Sequence, residues 1–285
     1  MTAPTVTEHE FIEHRLRIGD RVVTLVQGPA GWGECSPLPG YPSDPAVCRR
    51  AAEEAATVGF PPGVRSHIPV NVLVDGAFAI AEIRAFPAVK VKVRDAASVS
   101  LVAAVRDAVG PSTALRVDAN GAWDVDTAVH MIGLLARYDL EYVEQPVASL
   151  DDLALVRRRV DVLIAADECI RSLADARRLR ALGAADVIVL KQQPLGGVRA
   201  ALEVAEAAGV PAVVSSMMET SVGIAAGVAL AAALPDLPYA CGLATASMLA
   251  GDVTRDPLVP VDGMLPVRAV APDADLLARY QERKS

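Results

Sequence analysis

The sequence predicts an α/β fold: a modified TIM barrel of the (β/α)7β type with a small N-terminal α+β capping layer. Three observations lead there. Lys92, Asp118, Glu144, Asp167 and Lys191 each close a short apolar run, at successive intervals of 26, 26, 23 and 24 residues. Alanine-rich, helix-patterned stretches fill the gaps, and a period of this length accommodates one strand, one helix and two short loops. Residues 1–66 do not follow that rhythm and so form a separate layer.

In chain order, Phe11–Ile18 and Arg21–Gln27 read as strands joined by Gly19-Asp20, a favourable two-residue turn. The Gly- and Pro-dense run from Gly31 to Tyr41 reads as a loop. A helix follows, with Ser43 or Asp44 as its cap and Pro45 in its first turn. Eight strands are then predicted at Pro69–Val74, Ala88–Val93, Ala114–Asp118, Leu140–Glu144, Val162–Asp167, Asp186–Lys191, Ala212–Ser215 and Tyr239–Leu243, with seven helices between them. The uncharged stretch from Thr220 to Pro235 is too short for the roughly 20 residues that span a bilayer, and reads as a buried helix. The expected division is a capping domain over 1–66, a catalytic barrel over 67–250, and a Pro-rich segment over 251–285 returning across the capping side.

Composition narrows the function. The chain has 285 residues, 52% of them hydrophobic and 22% charged, which suits a packed core. Aromatic residues make up only 4%, so Ala, Val and Leu must build that core. A net charge of −8 without a basic cluster argues against a nucleic-acid partner. The opening residues do not read as a signal peptide, and the four cysteines lie far apart. A cytoplasmic protein with reduced thiols and no membrane partner is the expectation. Monomer and homodimer stay equally open.

The charges at the strand ends suggest chemistry. Charged ends of consecutive barrel strands converge on one mouth, where such barrels carry their active sites. Lys90 and Lys92 alternate with valines, so both face the same way. An edge strand protected by lysines has the same pattern, but a closed barrel has no edge. Two lysines so placed are expected to lower each other's pKa, making a base near neutral pH. The four histidines are not at strand ends, which leaves lysine as the available base. A lone Asp at a strand end is commonly a helix cap. Asp118, Glu144 and Asp167 at matching positions instead crowd negative charge and require a cation; oxygen donors alone point to Mg²⁺, with Mn²⁺ as the alternative. Glu168 reads equally as an outer partner to a lysine or as a cap, and Asn120 as a site residue or a turn residue. Lys191 lies roughly across the barrel from Lys92. Ser215-Ser216 close strand seven, where polar strand ends and anion-binding loops both occur.

The motifs Lys90-Val-Lys92, Arg116-Val-Asp-Ala-Asn-Gly121, Val143-Glu-Gln-Pro146, Ala166-Asp-Glu168 and Leu190-Lys191 ahead of Gly196-Gly197 resemble those of the enolase superfamily, in its muconate-lactonising branch. Within that branch the chain most resembles the o-succinylbenzoate synthases of short actinobacterial type, over most of residues 28–250. The resemblance implies a small-molecule carboxylate substrate held on Mg²⁺ by Asp118, Glu144 and Asp167. It also implies that Lys92 removes the proton α to the carboxylate and that Lys191 offsets charge from the opposite face. The implied reaction is a hydro-lyase step of menaquinone biosynthesis. Substrate contacts would come from Lys90, Asn120, Ser215 and Gly242, with Glu168 behind them and the loop Glu34–Tyr41 as a cover. Lysine bases with Mg²⁺ are a stated pattern of enolase-superfamily sites. Two departures are a short amino-terminal layer and the bulky Met217-Met218 after strand seven. An N-acylamino acid racemase would use the same two lysines. A metal-free aldolase with a Lys191 Schiff base is the alternative outside the family, and it leaves the carboxylates unexplained.

Overall fold

The computed structural model describes residues 11–282. Its first unit is an antiparallel sheet of β1 (Ile12–Ile18), β2 (Arg21–Gly28) and β3 (Gly31–Cys35), packed against α1 (Pro45–Thr57). The hairpin turns at Gly19-Asp20, with Gly19 in the left-handed region at φ 56°. Asp44 caps α1 by accepting from the Ala46 N–H, and Pro45 follows it. Strand β3 replaces the start of the expected loop. A Cβ at Gly33 would lie 2.0 Å from the Ala52 carbonyl oxygen of α1. The missing side chain that conceals this strand from periodicity is therefore what lets the helix close on it.

The barrel begins with β4 (His67–Pro69) and β5 (Asn71–Val74). The alternation then runs α2 (Ile80–Arg84), β6 (Ala88–Lys92), α3 (Ser98–Val109), β7 (Ala114–Asp118), α4 (Val125–Leu135), β8 (Leu140–Glu144), α5 (Leu150–Arg157) and β9 (Ile164–Ala166). It continues through α6 (Leu173–Leu182), β10 (Val187–Leu190), α7 (Gln192–Leu195), α8 (Val198–Ala208), β11 (Ala212–Val214) and α9 (Ser221–Ala233). Strands β5 to β11 form one parallel sheet in sequential order. Two parallel bridges, Val70 to Cys241 and Ser215 to Gly242, join its ends. The eighth strand expected over Tyr239–Leu243 is thus reduced to residues 241 and 242. They still close the ring, since the Cys241 N–H donates to Pro69 and the Gly242 N–H donates to Val214. The single strand expected over Pro69–Val74 is divided at Val70, because β4 pairs instead with β12 (Met264–Pro266). The chain ends on α10 (Ala274–Tyr280), after which Gln281 bridges to Leu16 and Glu282 accepts from Arg17 at 2.6 Å.

The core consists largely of Val, Ala and Leu, as the shortage of aromatics requires. Helix α9 carries this furthest: every residue from Ser221 to Ala232 is buried. Its small side chains admit close neighbours, and a Cβ on Gly227 would lie 2.6 Å from a methyl of Leu243. Among the described residues, no helix is long and apolar enough to cross a membrane, and all four cysteines are free.

A buried polar cluster joins the capping sheet to the barrel. Glu34 on β3 accepts from the Ser36 hydroxyl at 2.6 Å, from the Thr220 hydroxyl, and from the N–H of Gly223 at 3.0 Å. Gln193 on α7 accepts from the Ser36 N–H at 2.8 Å and donates to Glu219 at 2.7 Å. Burial, reinforced by the nearby Glu34 charge, raises the Glu219 carboxyl to about 8. Its folded-state pKa lies above the unfolded one, so its contribution to stability is complete below about pH 4.3 and is lost as pH rises through about 8. Comparing urea unfolding of the wild type with Glu219→Gln should show their stability difference changing between pH 5 and 8, at no more than about 1.4 kcal/mol per pH unit. A difference constant with pH would refute this.

Candidate active site

Strand register assembles the site. Lys92, Asp118 and Glu144 are direct partners across β6, β7 and β8. Two residues earlier, Lys90, Arg116 and Tyr142 form a second row. Side chains alternate along a strand, so the two rows are stacked within the barrel. In the lower row Arg116 is fully buried, with its guanidinium 4.7 Å from the Tyr142 ring centre. It donates to the Ala240 carbonyl at 2.6 Å and to Asn71 at 3.3 Å, tying the barrel floor together.

Above it the charges pair. Lys90 Nζ is 2.7 Å from Glu144 and 3.3 Å from Asp118. Lys92 Nζ donates to Asp118 at 2.7 Å and to Asn120 Oδ1 at 2.6 Å. Lys191 at the end of β10 donates to Asp167 at the end of β9. Asp167 also accepts from the Tyr41 hydroxyl at 2.9 Å, and its N–H donates to the Gln145 side chain at 2.7 Å. Asn120 has φ 48° and is a turn residue, yet it still reaches the site, donating to Glu168 at 2.8 Å. Asn120 is thus a turn residue whose side chain borders the cavity.

The expected lowering of lysine pKa is overturned for Lys90, and Lys191 is raised as well. Burial disfavours both ammonium groups, but the facing carboxylates outweigh it: Glu144 and Asp118 for Lys90, Asp167, Glu168 and Glu144 for Lys191. Both end above the ordinary lysine value. For Asp118, burial works against ionisation, and Lys90 and Lys92 overcome it, leaving the carboxyl well below its usual range. Glu144 moves the other way, raised by burial and by the adjacent Asp118.

A cavity of about 280 Å³ opens over these groups. Lys90, Lys92, Asp118, Asn120, Asp167, Glu168, Lys191, Ser215 and Gly242 all line it. Glu144 is buried beneath, against Lys90. The Ser215 hydroxyl makes only a long contact to the Gly242 carbonyl, 3.5 Å, whereas Ser216 donates to that oxygen at 2.7 Å and pairs with Thr245 at 2.8 Å. Met217 and Met218 wall the cavity together with Met248, Leu38 and Tyr41. Sequence reasoning missed Asn71, Thr245, Met248 and the individual role of Tyr41. Tyr41 carried a usable signal, being one of five tyrosines and set in a Gly- and Pro-rich turn.

The donor set suits a hard cation. Among the described residues no three of Asp, Glu, His and Cys already converge as a finished cage, because ammonium groups stand between the carboxylates. Four carboxylates nonetheless face three ammonium groups here, and the Glu168 Oε2 atom is buried without a hydrogen-bond partner. All the anionic donors are oxygens, the chemistry that Mg²⁺ prefers.

Comparison with known proteins agrees with this architecture. Residues 73–272 match the family model described as enolase C-terminal domain-like, and residues 12–56 match the enolase N-terminal domain-like model. The o-succinylbenzoate synthase of Thermobifida fusca is 56% identical over 90% of this chain and 84% of its own. That of Mycolicibacterium smegmatis is 45% identical over 90% of this chain and 83% of its own. A muconate cycloisomerase structure from Pseudomonas fluorescens superposes with a TM-score of 0.82, covering 96% of this chain and 98% of that one, and at 23% identity it speaks for the fold alone. Likeness running through both layers of the molecule makes the chain a member of the enolase superfamily and, within it, of the o-succinylbenzoate synthase family.

Proposed function

We propose that this protein is an o-succinylbenzoate synthase. It would dehydrate 2-succinyl-6-hydroxy-2,4-cyclohexadiene-1-carboxylate to o-succinylbenzoate, a step of menaquinone biosynthesis. The observation that carries the reading is that Lys92 and Lys191 line one cavity together with Lys90 and the carboxylates of Asp118, Asp167 and Glu168.

Asp118, Glu144 and Asp167 would hold a divalent cation, Mg²⁺ or Mn²⁺. Such a cation supplies Lewis-acid charge that offsets the negative charge building on the substrate carboxylate. Lys92 takes the proton from the carbon α to that carboxylate and returns it to the departing hydroxyl, so that water leaves from the same face. Its side chain is 19% exposed, against 10% for Lys90 and 9% for Lys191, so it is the lysine best placed to exchange protons with solvent. Lys191 keeps its ammonium charge on the other flank. Lys90, Asn120, Ser215 and Gly242 would contact substrate, and Glu168 would orient Asn120.

A racemase acting on N-acylamino acids is the second reading, because one lysine on each flank serves proton exchange equally well. A Schiff-base aldolase fits less well, since Lys191 is held as an ammonium by Asp167. Incubation with the cyclohexadiene acid and, separately, with N-succinyl amino acids should give dehydration of the first. Turnover of only the second would replace the synthase with the racemase.

Lys92→Ala should lower turnover by about 10²–10⁴-fold, the usual worth of a positioned base, with cation affinity little changed. Retention of most activity would remove Lys92 from the role. Glu144→Gln should weaken Mn²⁺ binding, followed by electron paramagnetic resonance, by at least about tenfold. Unchanged Mn²⁺ binding would remove Glu144 from the ligand set.

A further inference from the structure

Lys191 needs more than a carboxylate to hold its place. Its four-carbon stem is flexible, and Asp167 is its one hydrogen-bond partner among the described residues. Yet the side chain is almost wholly buried. The missing restraint comes from the capping layer. The Tyr41 ring centre lies 4.2 Å from Lys191 Nζ, within cation–π range. The hydroxyl of the same ring donates to Asp167 Oδ1, while Lys191 uses Oδ2 of that carboxylate. Ring, carboxylate and ammonium form one closed contact.

We infer that Tyr41 is a positioning residue for Lys191, holding the ammonium on its flank of the cavity through the face of its ring; this rests on the function proposed above. The loop that carries Tyr41 is suited to that task. At its start the Ser36 N–H donates to Gln193, and Arg21 donates to the carbonyls of Ser36 and Pro37 at 2.5 and 3.1 Å. At its end the Ser43 N–H donates to the Tyr41 carbonyl at 2.8 Å, just before the Asp44 cap of α1. Gln193 lies two residues after Lys191, so the lysine and the loop that presses on it share an anchor. Tyr41 and Leu38 also divide the inner cavity from an outer groove of about 800 Å³, and both border each space. A neutral ring restrains the ammonium without adding an anion to a site already rich in them.

The test separates ring from hydroxyl. Tyr41→Leu, with Tyr41→Gln as a second ring-less variant, should lower kcat by about 30-fold, the rate equivalent of a desolvated cation–π contact. KM should move by less than about threefold. Tyr41→Phe keeps the ring and should keep kcat within about threefold of wild type. A readout independent of turnover is acetylation of the unliganded protein, mapped by mass spectrometry with Lys90 as internal reference. Lys191 should label several-fold faster in the ring-less variants and at the wild-type rate in Tyr41→Phe. The inference is overturned if Tyr41→Phe loses as much kcat as Tyr41→Leu, if the ring-less variants change KM alone, or if Lys191 labelling is unaltered. A wild type inactive on the cyclohexadiene acid would overturn the proposed function instead, and the labelling would still decide for or against Tyr41.

Discussion

Four carboxylates and three ammonium groups occupy the barrel mouth with little access to water, and the rest of the structure answers to that concentration of charge. An isolated charge in such surroundings is costly and shifts its pKa to escape it. Here the arrangement is interleaved: Lys90 lies between Asp118 and Glu144, Lys92 on Asp118, and Lys191 on Asp167. Parallel register provides the interleaving at no extra cost in backbone geometry, because partners on β6, β7 and β8 stand in one row. A slip of one residue in any of these strands would turn its charges outward into the helix layer. Register and charge balance therefore enforce each other.

The regular part of this design was legible in the sequence because it repeats. Strand ends at intervals of 23 to 26 residues predict a shared mouth, and Lys92, Asp118, Asp167 and Lys191, which that spacing singles out, line one cavity with Glu144 buried beneath it. What could not be read falls into two kinds. Elements without periodicity were hidden: β3 is carried by glycines, and the eighth strand is two residues of bridging backbone. Electrostatic sign was also hidden. Lys90-Val-Lys92 looks like mutual repulsion along the chain, but the groups facing Lys90 come from other strands, and they reverse the expectation. Tyr41 belongs with these, since its partner Lys191 is 150 residues away.

The capping layer is small, yet it is joined to the barrel by buried polar contacts rather than by apolar packing alone. Glu34, Ser36, Gln193, Glu219 and Thr220 satisfy one another across the junction. Directional bonds of this kind fix one relative placement of the two layers, whereas an apolar seam tolerates sliding. Two tight glycines serve the same end: Gly197 admits Glu54, and Gly223 admits Glu34.

Helix α9 has a consequence of its own. None of its residues lines the cavity, but Gly227 on it abuts Leu243, the residue after the Gly242 that borders the cavity. Enlarging Gly227 by one methyl group would press on Leu243 and, through it, on the far wall of the cavity. Selection for a differently shaped substrate can thus act through an alanine-rich helix that never meets the ligand, leaving every catalytic group untouched.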